Sequence, residues 1–146
     1  MKEKEILFNI ELAKLTATRS YANRAKVGAV VVKSGQIISS GYNGTYAGDS
    51  NQCETDDGEK TLPNVIHAEK NAIMKLCKST ITSEDASLFI SHEPCNDCAS
   101  LIILSGIKDV YYSFSHKSKN FGSGVNLLKS KGIKVYNVVD NNIKEL

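Results

Sequence analysis

Residues 87–104 read SLFISHEPCNDCASLIIL, and this stretch decides the fold. Its first five residues, with Leu88, Phe89 and Ile90 at their centre, predict a strand, which Pro94 stops. Two cysteines, Cys95 and Cys98, then stand at the start of a segment whose apolar residues predict a helix to Leu104, with Gly106 as its end signal. A strand that leads directly into a helix is the repeating unit of an α/β domain.

The same alternation of helices and strands extends to both sides of this stretch. Hydrophobic periodicity and turn residues predict, in chain order, a helix over 2–20, a hairpin of strands over 29–32 and 37–39, a helix over 67–77, the strand and helix just quoted, a strand over 109–112, a helix over 125–130 and a strand over 133–138. This order predicts a single domain, residues 1–146, with a three-layer α-β-α architecture around a five-stranded mixed sheet. The last residues, 140–146, are expected to form a frayed tail.

The composition limits the classes of protein to which the chain can belong. The 146 residues are 41% hydrophobic and 23% charged, which suits a packed core and argues against disorder. A net charge of +2 and the absence of Trp give no reason to expect a nucleic-acid surface. The charged N-terminus and the lack of an apolar run of about 20 residues predict a cytoplasmic protein.

A histidine and a carboxylate upstream complement the two cysteines. His67, Cys95 and Cys98 supply three ligands of the types that zinc prefers and leave a fourth position open, while Glu69 remains available to move protons. Two cysteines three residues apart at a helix start project from one face of the helix. Because two thiolates cancel the charge of Zn²⁺, we expect the site to benefit from a dedicated base, and Glu69 is that base.

Two other interpretations stay open on these residues alone. The zinc site could be closed and structural, with Cys53, Cys77 or His92 as the fourth ligand, although Glu69 then has no role. The Cys-x-x-Cys pair also fits a redox function. Otherwise, Cys77 is expected to be a buried core residue, and Cys53 an ordinary thiol in the long polar loop from Gly41 to Asn64, whose length suggests a function.

His-x-Glu followed by Pro-Cys-x-x-Cys is the signature of the zinc deaminases. Across nearly its whole length the chain resembles the cytidine deaminase superfamily and, within it, the deoxycytidylate (dCMP) deaminases. The finer likeness is carried by residues 27–32 (VGAVVV), 41–44 (GYNG) and 105–108 (SGIK) with Val110 and Tyr111. The resemblance implies the cytidine-deaminase-like fold and zinc-dependent hydrolysis of dCMP to dUMP and ammonia, which would supply dUMP for dTMP synthesis.

The resemblance also implies roles for individual residues. Activated water would attack C4 of the cytosine ring, and Glu69 would protonate N3 and shuttle protons. The backbone amide of Ala68 would contact the pyrimidine, Arg24 the 5′-phosphate and Asn43 the sugar hydroxyl. His116 stands where related sequences often have a tyrosine, and it could replace that contact with the substrate. Arg24 as a surface arginine, Asn43 as a turn residue and His116 as a loop histidine are the plainer interpretations.

Regulation and assembly are further implications of the resemblance. Deaminases of this kind are commonly hexamers that dCTP activates and dTTP inhibits, with Mg²⁺ accompanying the effector nucleotide. The residues that resemble the effector-binding region are Arg24, Lys26, Gly41, Tyr42, Asn43 and Gly44. The rival functions are a tRNA adenosine deaminase, a free cytidine or cytosine deaminase and, outside the enzymes, a structural zinc module.

Overall fold

The computed structural model of the chain describes residues 1–115 and 123–146. Its helices are α1 (Glu3–Ala17), α2 (Ala68–Lys75), α3 (Asn96–Leu104) and α4 (Val125–Ser130), and a 3₁₀ turn (Leu76–Lys78) extends α2. Its strands are β1 (Gly28–Lys33), β2 (Gln36–Tyr42), β3 (Ser87–His92), β4 (Asp109–Phe114), β5 (Lys134–Val139) and β6 (Asn142–Glu145). Every predicted helix and strand is present, and β6 is additional.

The sheet has the order β2-β1-β3-β4-β5-β6 and mixes parallel with antiparallel pairs. Strands β3, β4 and β5 run parallel, while β1, β2 and β6 join them in antiparallel pairs. The predicted count of five strands is wrong, because the expected frayed tail forms β6. Asp140 and Asn141 adopt positive φ angles of 48° and 64°, which turns the chain back along β5 as a tight hairpin.

Two hydrophobic cores confirm the three-layer architecture. On one face of the sheet, Ile6, Ile10 and Ala13 of α1 pack against strand residues that include Val30 and Phe89. On the other face, α2, α3 and α4 pack against the alternate residues of the same strands. Because successive side chains of a strand point to opposite faces, strands covered on both sides read as the continuous apolar runs of β1 and β3.

The β1–β2 hairpin is pressed closely against the helix that follows the long loop. A Cβ atom placed on Gly41 would lie 2.6 Å from the backbone nitrogen of Ala72 and 2.9 Å from the carbonyl oxygen of Ala68. Only a residue without a side chain lets β2 approach α2 this closely. Gly41 therefore fixes the distance between the sheet and the first turn of α2.

One residue expected in the core lies at the surface. Cys77 lies in the 3₁₀ turn after α2 and is exposed, so the expectation that it is a buried core residue is wrong. The tighter winding of the turn rotates Cys77 away from the sheet, while Leu76 stays buried. No helix in residues 1–115 and 123–146 is long and apolar enough to span a membrane.

Candidate active site

The starts of two helices bring the three predicted zinc ligands together. His67 is the N-cap of α2, Cys95 is the N-cap of α3, and Cys98 lies in the first turn of α3. Their ligand atoms all lie within 4.8 Å of one another. Nδ1 of His67 is 3.3 Å from Sγ of Cys98 and 3.7 Å from Sγ of Cys95.

These distances fit a tetrahedral zinc ion. Zn–S and Zn–N bonds of ordinary length at a tetrahedral angle separate a sulfur from a nitrogen ligand by ~3.6 Å. The two measured N···S distances, 3.3 and 3.7 Å, bracket that value. Both cysteines are buried and His67 is exposed, so the group is open to solvent on the histidine side. The described residues therefore offer three ligands and room for a fourth.

The electrostatics of the group favour the thiolate form of Cys95. A hydrogen bond from Cys98 lowers the pKa of Cys95 to about 3, while that same contact and burial raise the pKa of Cys98, so the two thiols share one proton. Hydrogen bonding to Cys95 raises the pKa of His67. The N-terminus of α3 carries partial positive charge, which further stabilises negative charge on both sulfur atoms.

Glu69 lies in the first turn of α2 beside these ligands. It is 4% exposed, and its carboxylate forms a hydrogen bond with the side chain of Cys98. Burial raises the pKa of Glu69, which brings this carboxyl closer to neutrality than an exposed glutamate and suits a group that takes up and returns a proton. The structure thus places a buried carboxyl next to the ligand group.

The candidates for a fourth protein ligand lie elsewhere. In the part of the chain that the structure describes, His67, Cys95 and Cys98 form the cluster able to hold a metal, and neither Cys53, Cys77 nor His92 belongs to it. The buried thiol of Cys53 donates to the carbonyl of Asn51. The ring of His92 hydrogen-bonds the hydroxyl of Ser91 and packs against Phe114. This arrangement favours an open site over a closed structural one.

Asn43 holds the segment that joins α1 to β1. Its Oδ1 accepts the N–H of Val27 at 2.9 Å, and its Nδ2 donates to the carbonyl of Ala25 at 2.8 Å. The backbone N–H of Asn43 also donates to the carbonyl of Val27. Asn43 therefore has a clear structural role, and contact of its remaining amide hydrogen with a sugar stays a prediction.

The other predicted binding residues surround the same segment. Arg24 is exposed, whereas the ammonium of Lys26 donates to the carbonyl of Ser20 at 2.6 Å. The ring of Tyr42 lies 5.1 Å from the guanidinium of Arg19. Gly44 forms a β-bridge with Ile66, immediately before His67, which ties residues 41–44 to the start of α2.

Ala68 and His116 are the other predicted substrate contacts. Ala68 is the first residue of α2, so its N–H has no acceptor within the helix, and its contact with the pyrimidine stays a prediction. His116 lies outside the described residues, and its contact with the substrate stays a prediction.

Gly124 and Glu54 also bear on the site through contacts that the sequence did not predict. The N–H of Gly124 donates to the carbonyl of Pro94 at 2.8 Å, against the loop that carries Cys95. The carboxylate of Glu54 bonds backbone N–H groups next to Arg24. No local pattern indicates either contact, because each joins segments that are far apart in sequence.

Comparisons with known proteins agree with this geometry. The model of the cytidine and deoxycytidylate deaminase zinc-binding region matches residues 3–114. The chain is 31% identical to the deoxycytidylate deaminase of Enterobacteria phage T4, over 94% of this chain and 91% of that protein. It is 35% identical to ComE operon protein 2 of Bacillus subtilis, over 85% of this chain and 66% of that protein. A crystal structure of dCMP deaminase from cyanophage S-TIM5, in complex with dCMP and dUMP, matches with a TM-score of 0.88 at 38% identity, covering 94% of this chain and 99% of that one.

Proposed function

The chain belongs to the cytidine and deoxycytidylate deaminase family and is a deaminating hydrolase, and from this we propose that its substrate is dCMP, which it converts to dUMP and ammonia. The observation that carries the chemistry is the convergence of His67, Cys95 and Cys98 beside the buried carboxyl of Glu69. The choice of dCMP is supported by the likeness to the phage T4 enzyme and to the cyanophage enzyme, which binds dCMP and dUMP.

In this proposal His67, Cys95 and Cys98 hold one zinc ion, which when bound supplies Lewis-acid activation of the attacking water. Glu69 takes one proton from that water and delivers it to N3 of the cytosine ring. The water oxygen forms a bond to C4, and Glu69 then passes the second proton to the amino group. The C4–N4 bond breaks, and ammonia leaves. Each step asks Glu69 to gain and lose a proton, which its raised pKa favours.

The base and the sugar phosphate are assigned to different parts of the site. The backbone N–H of Ala68, which has no acceptor within α2, is suited to donate a hydrogen bond to the pyrimidine carbonyl. Arg24 is exposed, and its planar guanidinium matches the geometry of a phosphate. Asn43 and His116 complete the proposed substrate contacts, at the sugar and in place of the usual tyrosine.

An ammonia-release assay of the zinc-loaded protein tests this function. The substrates are dCMP, deoxycytidine, dCTP and a tRNA anticodon stem-loop, each at a series of concentrations. We expect kcat/KM to be highest for dCMP. Its single 5′-phosphate can pair with Arg24, whereas deoxycytidine has no phosphate and dCTP carries two more. Equal or faster turnover of any other substrate would disprove the assignment of dCMP, and turnover of the stem-loop would identify the rival tRNA deaminase.

We further propose that the enzyme is regulated and oligomeric. dCTP, with Mg²⁺, would activate it and dTTP would inhibit it at a site that includes Arg24, Lys26 and residues 41–44. A hexamer in the cytoplasm, supplying dUMP for dTMP synthesis, is the favoured assembly and context. The bridge between Gly44 and Ile66 supports the proposed regulation, because an effector that moves residues 41–44 would act on the start of α2.

Rates measured with and without each effector, together with the molecular mass in solution, test the regulation. Activation by dCTP and inhibition by dTTP at fixed dCMP are expected, with a mass near six times 15.9 kDa by light scattering. A rate that neither nucleotide changes would exclude the effector site, and a monomer would exclude the hexamer.

A further inference from the structure

Glu54 is a buried carboxylate that the proposed chemistry does not use. It lies in the long loop between β2 and α2 and is 5% exposed. Its Oε1 accepts the backbone N–H of Asn23 at 2.7 Å and that of Arg24 at 3.1 Å. Within residues 1–115 and 123–146, no cationic side chain forms an ion pair with this carboxylate.

This arrangement indicates a structural constraint on the backbone that it contacts. A carboxylate removed from water destabilises the folded protein unless hydrogen bonds replace its hydration. Backbone N–H groups bonded to a charged acceptor make shorter and stronger bonds than neutral pairs do. The N–H groups of Asn23 and Arg24 supply those bonds, so displacing either residue would leave the buried charge of Glu54 poorly compensated.

Backbone contacts and a small hydrophobic cluster hold Glu54 in place. It forms a β-bridge with Thr61, and the N–H of Leu62 donates to the carbonyl of Cys53 at 2.8 Å. The neighbouring Cys53 packs with Ala22 and Val65 in a small hydrophobic cluster. The long loop therefore presents the carboxylate from a fixed position.

The segment between α1 and β1 has two separate anchors. Asn43 bonds the backbone at Ala25 and Val27, and Lys26 bonds the carbonyl of Ser20. Glu54 anchors the part that precedes them, at Asn23 and Arg24. The side chain of Arg24 projects from this second anchor and is exposed. Glu54 thus sets the position of the Arg24 backbone from which the guanidinium extends.

We propose that Glu54 is a positioning residue that fixes the backbone of Arg24 and so directs its guanidinium to the 5′-phosphate of the substrate. This rests on the proposed function, in which Arg24 binds that phosphate. When the backbone of an arginine is already fixed, its guanidinium loses less conformational freedom on binding a phosphate. Loss of the anchor should therefore weaken phosphate binding and leave the chemistry at the metal group unchanged.

The test compares a substrate with the phosphate and one without it. kcat and KM are measured for dCMP and deoxycytidine with the wild type, Glu54→Gln, Arg24→Ala and the double variant. Because Glu54→Gln keeps the shape of the side chain and one acceptor oxygen but loses the charge that strengthens both bonds, we expect KM for dCMP to rise about threefold or more, with kcat within about twofold. kcat/KM for deoxycytidine should stay at the wild-type value, and the double variant should have the same KM for dCMP as Arg24→Ala.

Two controls separate positioning from folding. Glu59→Gln removes an exposed carboxylate from the same loop and should change neither substrate's parameters. Glu54→Asp keeps the charge but shortens the side chain, and should raise KM for dCMP less than Glu54→Gln does. Zinc content and thermal unfolding of each variant show that the site is intact.

The outcomes distinguish the inference from the function on which it rests. If Arg24→Ala leaves the preference for dCMP over deoxycytidine unchanged, the phosphate role of Arg24 is wrong, and the role of Glu54 is wrong with it. If Arg24→Ala reduces that preference but Glu54→Gln impairs both substrates equally, only the positioning role is wrong. Multiplicative effects on KM in the double variant would likewise show that Glu54 acts independently of Arg24.

Discussion

Glu69, Glu54 and Asp109 are withdrawn from solvent to different degrees, and their surroundings compensate their charges differently. Glu69 and Glu54 are almost fully buried, and Asp109 is half-buried. Glu69 bonds the side chain of Cys98, and Glu54 bonds two backbone N–H groups. Asp109 Oδ1, by contrast, is buried without a hydrogen-bond partner among the described residues. Removing the charge should therefore have a different consequence at each position.

At Glu69, loss of the carboxylate should abolish proton transfer and spare the metal site. Glu69→Gln keeps the volume of the side chain but cannot take up a proton. We expect kcat for dCMP to fall about 10²- to 10⁴-fold, the usual contribution of general acid–base catalysis. Zinc content, measured by mass spectrometry, should stay at one ion per chain. Lys70→Gln, at the exposed neighbouring position, is the control and should keep wild-type kcat. A Glu69→Gln enzyme that retains zinc and turns over at near the wild-type rate would exclude Glu69 as the proton shuttle.

At Asp109, loss of the charge should stabilise the protein at neutral pH. Burial raises the pKa of Asp109, so the folded state disfavours its charged form. With a raised folded-state pKa, the stability is full below the unfolded-state value of about 3.9 and is lost as pH rises through the folded-state pKa. Asp109→Asn should therefore raise the free energy of unfolding by about 1 kcal/mol at pH 7, with a gain that disappears at acid pH.

Urea unfolding of Asp109→Asn and the wild type across a pH series measures this difference. Asp49→Asn removes an exposed carboxylate and is the control, with no change expected at any pH. A gain that persists below the pKa of an ordinary aspartate would show that the effect does not come from the buried charge.

At the scale of elements, the site depends on a contact between α4 and the loop before α3. A Cβ atom on Gly124 would lie 2.6 Å from the carbonyl oxygen of Cys95 and 3.0 Å from that of Pro94. Both are backbone atoms of the loop that carries a proposed ligand, so they can move only if the loop moves. Because Gly124 has no side chain, α4 can pack directly against this loop. The close contact helps to hold Cys95 in its position relative to Cys98.

Gly124→Ala should consequently weaken zinc binding. Displacement of the ligand loop by a few tenths of an ångström distorts the tetrahedral arrangement, and we expect zinc affinity to fall about 10-fold or more, as it does when the support of a metal ligand is lost. Competition with a chromophoric chelator measures the affinity. Asn126→Ala, on the exposed side of α4, is the matched control and should bind zinc as the wild type does. Unchanged affinity in Gly124→Ala would show that the loop tolerates the added methyl group.

The elements differ in how well local sequence predicts them. The strand and helix around Pro94 were predictable because apolar periodicity, a stop signal and paired cysteines agree on the same boundaries. Strand β6 was not, since its residues 142–145 are mostly polar and its turn has no glycine: Asp140 and Asn141 take positive φ angles that Asp and Asn tolerate but rarely signal. Contacts such as Glu54 with Arg24 depend on the path of a long loop, which no local pattern encodes.

Across the whole molecule, the proposed zinc site joins the starts of two helices that lie far apart in the sequence. α2 and α3 pack on the same face of the sheet, and their N-termini meet at His67, Cys95 and Cys98. The long loop enters this region through the bridge between Gly44 and Ile66. A metal ion at this point would link the start of α2 to the start of α3 and, through the bridge between Gly44 and Ile66, the long loop to α3.

Removal of zinc should for this reason lower the stability of the entire domain. A ligand that binds only the folded state stabilises it in proportion to the logarithm of its concentration over Kd, by ~4 kcal/mol at 1,000 times Kd. For a domain of this size we expect Tm to fall by on the order of 10 °C after treatment with a chelator, and to recover when zinc is restored. Calorimetry with and without chelator measures the shift. In His67→Ala, which lacks one ligand, Tm should start low and respond little to either treatment. A wild-type Tm that ignores both chelator and zinc would mean that the metal adds nothing to the link between α2 and α3, and that packing on the sheet alone holds their N-termini together.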